Sequence, residues 1–117
     1  MENYCARASE QSERISRIFA ALADPTRRDV LGRLEREGPL SVGTLADPLP
    51  IKLPAVMKHL GVLSDAGLIV RKKTGRVVTV TLRPEPLREA RDWLARYERF
   101  WSERLDRLAD FVEDGET

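Results

Sequence analysis

The side chains with chemistry to offer are mostly cations, gathered in the middle of the chain. Arg71, Lys72, Lys73 and Arg76 fall within six residues, and Lys52, Lys58 and His59 precede them. Cations at that density suit a polyanion, because each one that neutralises a phosphate releases condensed counterions. Catalysis has no comparable set. His59 is the sole histidine and Cys5 the sole cysteine, so neither finds the companions that a zinc site or a nucleophile with its base requires. No Gly-rich phosphate loop or nucleophile motif is present. The chain is therefore read as a non-enzyme with no metal and no cofactor. His59 is left with two readings, a phosphate contact or a hydrogen bond at the edge of the core. Cys5 reads as an inert thiol near a frayed terminus, with an intermolecular redox bond as the alternative.

The net charge of +1 hides how unevenly the charge is spread. From Pro39 to Pro84 there are seven cations and two carboxylates, whereas from Glu85 onward six arginines meet ten acids. The first 38 residues balance at seven of each. Such a pattern predicts one surface that faces an anion and one acidic surface turned away from it. A single cysteine allows no intrachain disulfide, and no stretch has the apolar length of a membrane span or a signal peptide, so a cytoplasmic protein is expected.

These cations need elements to position them. The 117 residues suit one domain, 1–117, without an interdomain linker. Ile15, Ile18, Phe19 and Leu22 recur at helical spacing, which predicts a first helix from near Ser9. Asp24-Pro25 is a good N-cap followed by a proline at the first helical position, so a second helix runs from Pro25 to about Glu37 and buries Val30, Leu31 and Leu34. Ser41 caps a short third helix, Val42 to Asp47, which Pro48 and Pro50 end. Leu53, Val56, Leu60 and Leu63 make the buried stripe of a fourth helix, terminated by Gly67. Leu68-Ile69-Val70 and Val77 to Leu82 then flank the cationic segment as a hairpin with Thr74-Gly75 at its turn. The predicted fold is mainly α with a two-stranded β-hairpin: a winged helix-turn-helix of five helices.

On the fourth helix the face opposite the stripe carries Pro54, Lys58, Gly61 and Asp65, with Ala55 and Val62 near it and Met57 and His59 at its margins. Small residues and a few donors at a helix start suit entry into a major groove, and Ala55, Lys58 and His59 fit that description, with Lys52 beside them. The plainer reading is a solvated face with one lysine. The adjoining wing cations favour the groove.

After Pro84 and Pro86 a long amphipathic helix is predicted from Leu87 to about Val112. Its apolar residues, including Leu94, Tyr97, Trp101, Leu105 and Leu108, are too many for so small a body to cover, which points to a homodimer seam joined by Ile15 and Phe19 of the first helix. Trp93, Tyr97, Phe100 and Trp101 crowd two turns of this helix. They read as dimer core, or alternatively as an aromatic pocket for an apolar small-molecule effector.

The segment Phe19-Ala20-Ala21-Leu22-Ala23-Asp24-Pro25-Thr26-Arg27-Arg28, with Val30-Leu31, Leu53-Pro54-Ala55-Val56-Met57-Lys58-His59-Leu60, Leu63 and Ala66-Gly67-Leu68, resembles the ArsR/SmtB repressors. The tail from Trp93 through Leu108 is similar to the branch that senses no metal. The resemblance implies a winged-helix dimer, joined by its first and last helices, that binds double-stranded DNA at a two-fold symmetric operator, often its own promoter. Metal sensors in the family carry a Cys-x-Cys motif on the third helix or His and Asp ligands on the last; here the third helix reads Val42-Gly43-Thr44-Leu45-Ala46-Asp47 and the last has no histidine. Three positions depart from the family pattern. Lys52 stands where a serine cap is common, Met57 where a serine often touches DNA, and Gly61 where an arginine or lysine is frequent. The rival expectation is a winged-helix assembly module whose basic surface meets an acidic protein.

Overall fold

The computed structural model describes the backbone of residues 2–115 and the side chains of residues 9–113; the thiol of Cys5 lies outside the described residues. The elements run α1 (Glu2–Leu22), α2 (Pro25–Glu37), β1 (Leu40–Ser41), α3 (Val42–Ala46), α4 (Leu53–Asp65), β2 (Ile69–Thr74), β3 (Val77–Leu82) and α5 (Glu85–Gly115). This is a winged helix-turn-helix, mainly helical, as the periodicity predicts. Several boundaries differ, β2 among them, which runs on to Thr74 where only Leu68–Val70 is expected. α1 starts well before Ser9, since the preceding residues contain no proline or glycine to stop it. α5 starts two residues before Leu87, because Pro86 lies in the first turn, where a missing amide has no helical partner to lose. β1 is a two-residue strand, too short to show a period, which pairs antiparallel with β3 as Leu40 with Val80 and Ser41 with Thr79. The sheet therefore has three strands in the order β1-β3-β2.

Local chemistry fixes the helix ends. Asp24 caps α2 by accepting from the Arg27 amide at 3.0 Å, and Ser41 caps α3 by accepting from the Thr44 amide at 3.1 Å. At the end of α4 the Gly67 amide donates to the Ser64 carbonyl and the Leu68 amide to the Leu63 carbonyl. This is the paired bonding of a Schellman motif, with Gly67 at φ 74° in the left-handed region. Leu63 and Leu68 are both fully buried, so the cap also fixes the direction in which the chain leaves α4 for β2.

The main core is built from Val30, Leu31 and Leu34 of α2, Leu45 of α3, Val56, Leu60 and Leu63 of α4, and Leu68, Ile69 and Val80 at the sheet. The expected α2 stripe is present in full. The α4 stripe is not: Leu53, the first residue of the helix, is 56% exposed. A second, smaller cluster joins Ile15 and Ile18 of α1 to Ala90 of α5. Ile15, expected at a dimer seam, is thus 6% exposed and already used inside the protomer.

Candidate nucleic-acid interface

α4 and the β2–β3 hairpin stand next to one another, joined by the Gly67 cap. The hairpin turn is Gly75-Arg76, one residue later than the expected Thr74-Gly75, since Thr74 pairs with Val77 and belongs to the ladder. Gly75 has φ 62°, and among the described residues no other residue type has positive φ. A positive φ at the first turn position only is the type II′ pattern, whose twist matches that of the strands. The ladder runs far enough to place Arg71, Lys72 and Lys73 within β2 itself, where side chains alternate between faces. Arg71 opposite Val80 and Lys73 opposite Val78 share the face of buried Ile69, while Lys72 opposite Thr79 lies on the other. Arg76 stands at the tip. The wing thus presents cations on both faces of a ribbon instead of a cluster in a loop.

On α4, Lys58 is exposed as expected and Lys52 occupies the N-cap position without a side-chain capping bond. Ala55, Val62 and His59 are half-buried, whereas Leu53, Pro54 and Met57 are exposed. The outward face is therefore rotated toward Leu53 and Met57 from where the wheel places it. The cause is α2, which packs along the side of α4 that carries His59. Among the described residues none of Lys52, Lys58, Arg71, Lys72, Lys73 and Arg76 pairs with a carboxylate, whereas Arg14, Arg17, Arg33, Arg83 and Arg91 each do.

His59 holds an inward hydrogen bond, one of its two expected roles. A guanidinium has only donors, so Arg27 Nη1 donates at 3.2 Å to His59 Nδ1, which places the neutral ring's proton on Nε2. Asp24 Oδ2 lies 3.7 Å from the same Nδ1. Arg27 also donates from Nε to the Ala21 carbonyl at 2.7 Å and from Nη2 to the Ala20 carbonyl at 2.9 Å. Arg28 reaches the Leu22 carbonyl at 2.7 Å. The two arginines satisfy carbonyls at the end of α1, where the helix runs out of amide donors; the Ala20 carbonyl also accepts from the Ala23 amide. The Asp24 carboxyl is held below its usual range, chiefly by the Arg27 amide, with His59 and the Arg27 charge adding to the effect against partial desolvation. Sequence reasoning missed Arg27 as a junction; the clue was an arginine one turn after a cap, at a site where two helices meet.

Away from the cations, α5 exposes Leu94, Tyr97, Trp101, Leu105 and Leu108, each at 45–59%. Phe19 is half-buried and meets Trp93 edge to face at 5.6 Å; Trp93 stacks on Tyr97 at 5.4 Å. An open groove of about 840 Å³ runs between α1 and α5. Among the described residues no three His, Cys, Asp or Glu side chains converge as metal ligands would, and no helix is long and apolar enough to cross a membrane.

A family model described as a helix-turn-helix domain matches residues 22–72, which run from the end of α1 into β2. The chain is 40% identical over 97 residues to the HTH-type transcriptional regulator Rv2034 of Mycobacterium tuberculosis, an alignment spanning 83% of this chain and 87% of that protein. It is 28% identical over 83 residues to the transcriptional repressor SdpR of Bacillus subtilis, spanning 71% and 91%. A solved ArsR family transcriptional regulator superposes with a TM-score of 0.75 at 47% identity, covering 78% of this chain and 93% of that one. With that superposition and so extensive a sequence match, the chain belongs to the ArsR family of helix-turn-helix, DNA-binding transcriptional regulators.

Proposed function

We propose that the chain is a homodimeric repressor that binds a two-fold symmetric operator in its own or a neighbouring promoter. It acts in the cytoplasm as one winged-helix unit, 1–117, without catalysis, metal or cofactor, in the manner of the branch that senses no metal. The observation that carries the reading is the set of six cations on α4 and the wing, none of which pairs with a carboxylate among the described residues. Between Pro39 and Pro84 seven cations stand against only two carboxylates, so this surface keeps its positive charge. Cations left without a carboxylate, on a helix and its neighbouring hairpin, form a surface complementary to phosphate.

In this reading Leu94, Tyr97, Trp101, Leu105 and Leu108, with Phe19, meet their counterparts across a two-fold axis, and Ile15 supports them from inside the protomer. Two copies of α4 then enter successive major grooves, about 34 Å apart, with the wings on flanking DNA. Lys58 and Lys52 lie at the groove, with Ala55 allowing close approach; Arg71, Lys72, Lys73 and Arg76 lie on phosphates. His59 positions α4 through Arg27 and offers Nε2–H outward. The repressor reading also agrees with the name of the Bacillus subtilis relative.

The test is titration of the purified protein with its own upstream promoter fragment at two salt concentrations. The expected result is tighter binding than to scrambled DNA, with affinity falling steeply as salt rises. Equal binding to both fragments would favour an assembly module that meets an acidic protein.

A further inference from the structure

The face that α4 turns to solvent is more apolar than phosphate binding needs. At 100° per residue, Leu53, Met57, Gly61, Pro54, Asp65 and Lys58 spread over an arc of about 140°, with Gly61 near its middle. Leu53 is 56% exposed and Met57 36%, and Ile51, just before the helix, is 37% exposed. A β-carbon built on Gly61 meets nothing within 4 Å. No packing inside the protomer therefore requires glycine there, although an interior glycine weakens a helix relative to alanine.

We propose that this arc reads thymine: Leu53 and Met57 contact C5-methyl groups on the major-groove edge of T·A pairs, and the bare backbone at Gly61 lets the groove wall close over them. The inference rests on α4 being the groove helix. Thymine alone among the four bases carries an apolar group on its major-groove edge, whereas guanine and adenine offer acceptors that call for Arg, Lys, Asn or Gln. On this arc Lys58 is the only such donor. DNA, and not an apolar protein surface, is the occupant because Lys58 stands at the edge of the arc, Lys52 immediately precedes Leu53, and the cap at Gly67 leads from the helix directly into the cationic wing. Met57 is unbranched and polarisable, so it can follow the position of a methyl group without a fixed pocket.

The experiment measures affinity for the chain's own promoter fragment synthesised with thymidine or with deoxyuridine throughout, using the wild type, Leu53→Ala and Met57→Ala. Loss of one methyl contact is worth about fourfold in affinity, so one contact in each half-site gives about fifteenfold weaker binding of the uracil fragment by the wild type. Both variants should keep the wild-type melting temperature, since both side chains are exposed, and should show a reduced ratio between the two fragments. A wild-type ratio of one overturns the inference, as does a ratio that neither substitution reduces. Failure of either fragment to outcompete scrambled DNA overturns the operator reading and this inference together.

Discussion

Arg27 of α2 ties α1 to α4, because its three nitrogens serve three acceptors on those two helices. Arg27→Ala leaves the end of α1 and the His59 ring short of a donor, and a loss of about 1–3 kcal/mol in urea unfolding is expected. Arg27→Lys should recover little of it, since one ammonium cannot reproduce the planar fork. Asp24 gives a pH-dependent counterpart. Its folded-state pKa lies below the ordinary value, so its contribution is complete above the ordinary carboxylate range and disappears as pH falls through the lowered value. Asp24→Ala should therefore lower the urea midpoint at pH 7, and the gap to wild type should close as the solution becomes more acidic than the ordinary carboxylate range. A gap independent of pH would remove the carboxylate from the explanation. Gly61→Ala belongs to the same scale: with open space at the β-carbon, it should stabilise the fold by up to about 1 kcal/mol in thermal melts.

Element by element, the sequence made most of the architecture legible where each piece carried its own signal. Asp24-Pro25, Ser41 and Gly67 are caps whose chemistry is local, and all three act as such. The α2 stripe is a complete helical period against the core. What was not legible depends on neighbours. Leu53 continues the α4 period but lies outside the packed body, and His59 is drawn inward by an arginine 32 residues away. β1 exists only because β3 offers it a partner. The hairpin turn was misplaced by one residue because Thr74 and Gly75 both suit a turn, and only the pairing of Thr74 with Val77 decides between them. The wing leads to a prediction about electrostatics. Replacing Lys72 and Lys73 by alanine should weaken binding to promoter and scrambled DNA alike. The slope of log affinity against log salt should flatten by about four units, since each of the two copies loses two cations. A change confined to the promoter would mean that these lysines read bases.

The whole molecule is not compact as a single copy. Its radius of gyration is 19.8 Å, against about 13 Å for a compact chain of this size. Its accessible surface of 8850 Å² compares with about 6,500 Å² for a globular protein of the same mass. Much of the excess lies along α5, whose 31 residues extend about 46 Å and whose apolar side is open to solvent. A second copy is the simplest cover for that side. Leu105→Glu with Leu108→Glu should therefore give a monomer in sedimentation, while the wild type sediments as a dimer. The doubly substituted chain should also lose operator affinity, since two half-sites bound by linked copies far exceed either one alone.

One guanidinium spans the terminus of a seam helix, the start of α2 and the ring of the groove helix. In the proposed repressor, the dimer contact and the reading head are consequently not separate parts joined by a passive body. In that reading, any coupling that Arg27 carries between α1 and α4 is reciprocal: what operator binding does at the His59 ring returns to the seam with the same free energy. Arg27 would then be a lever between assembly and recognition.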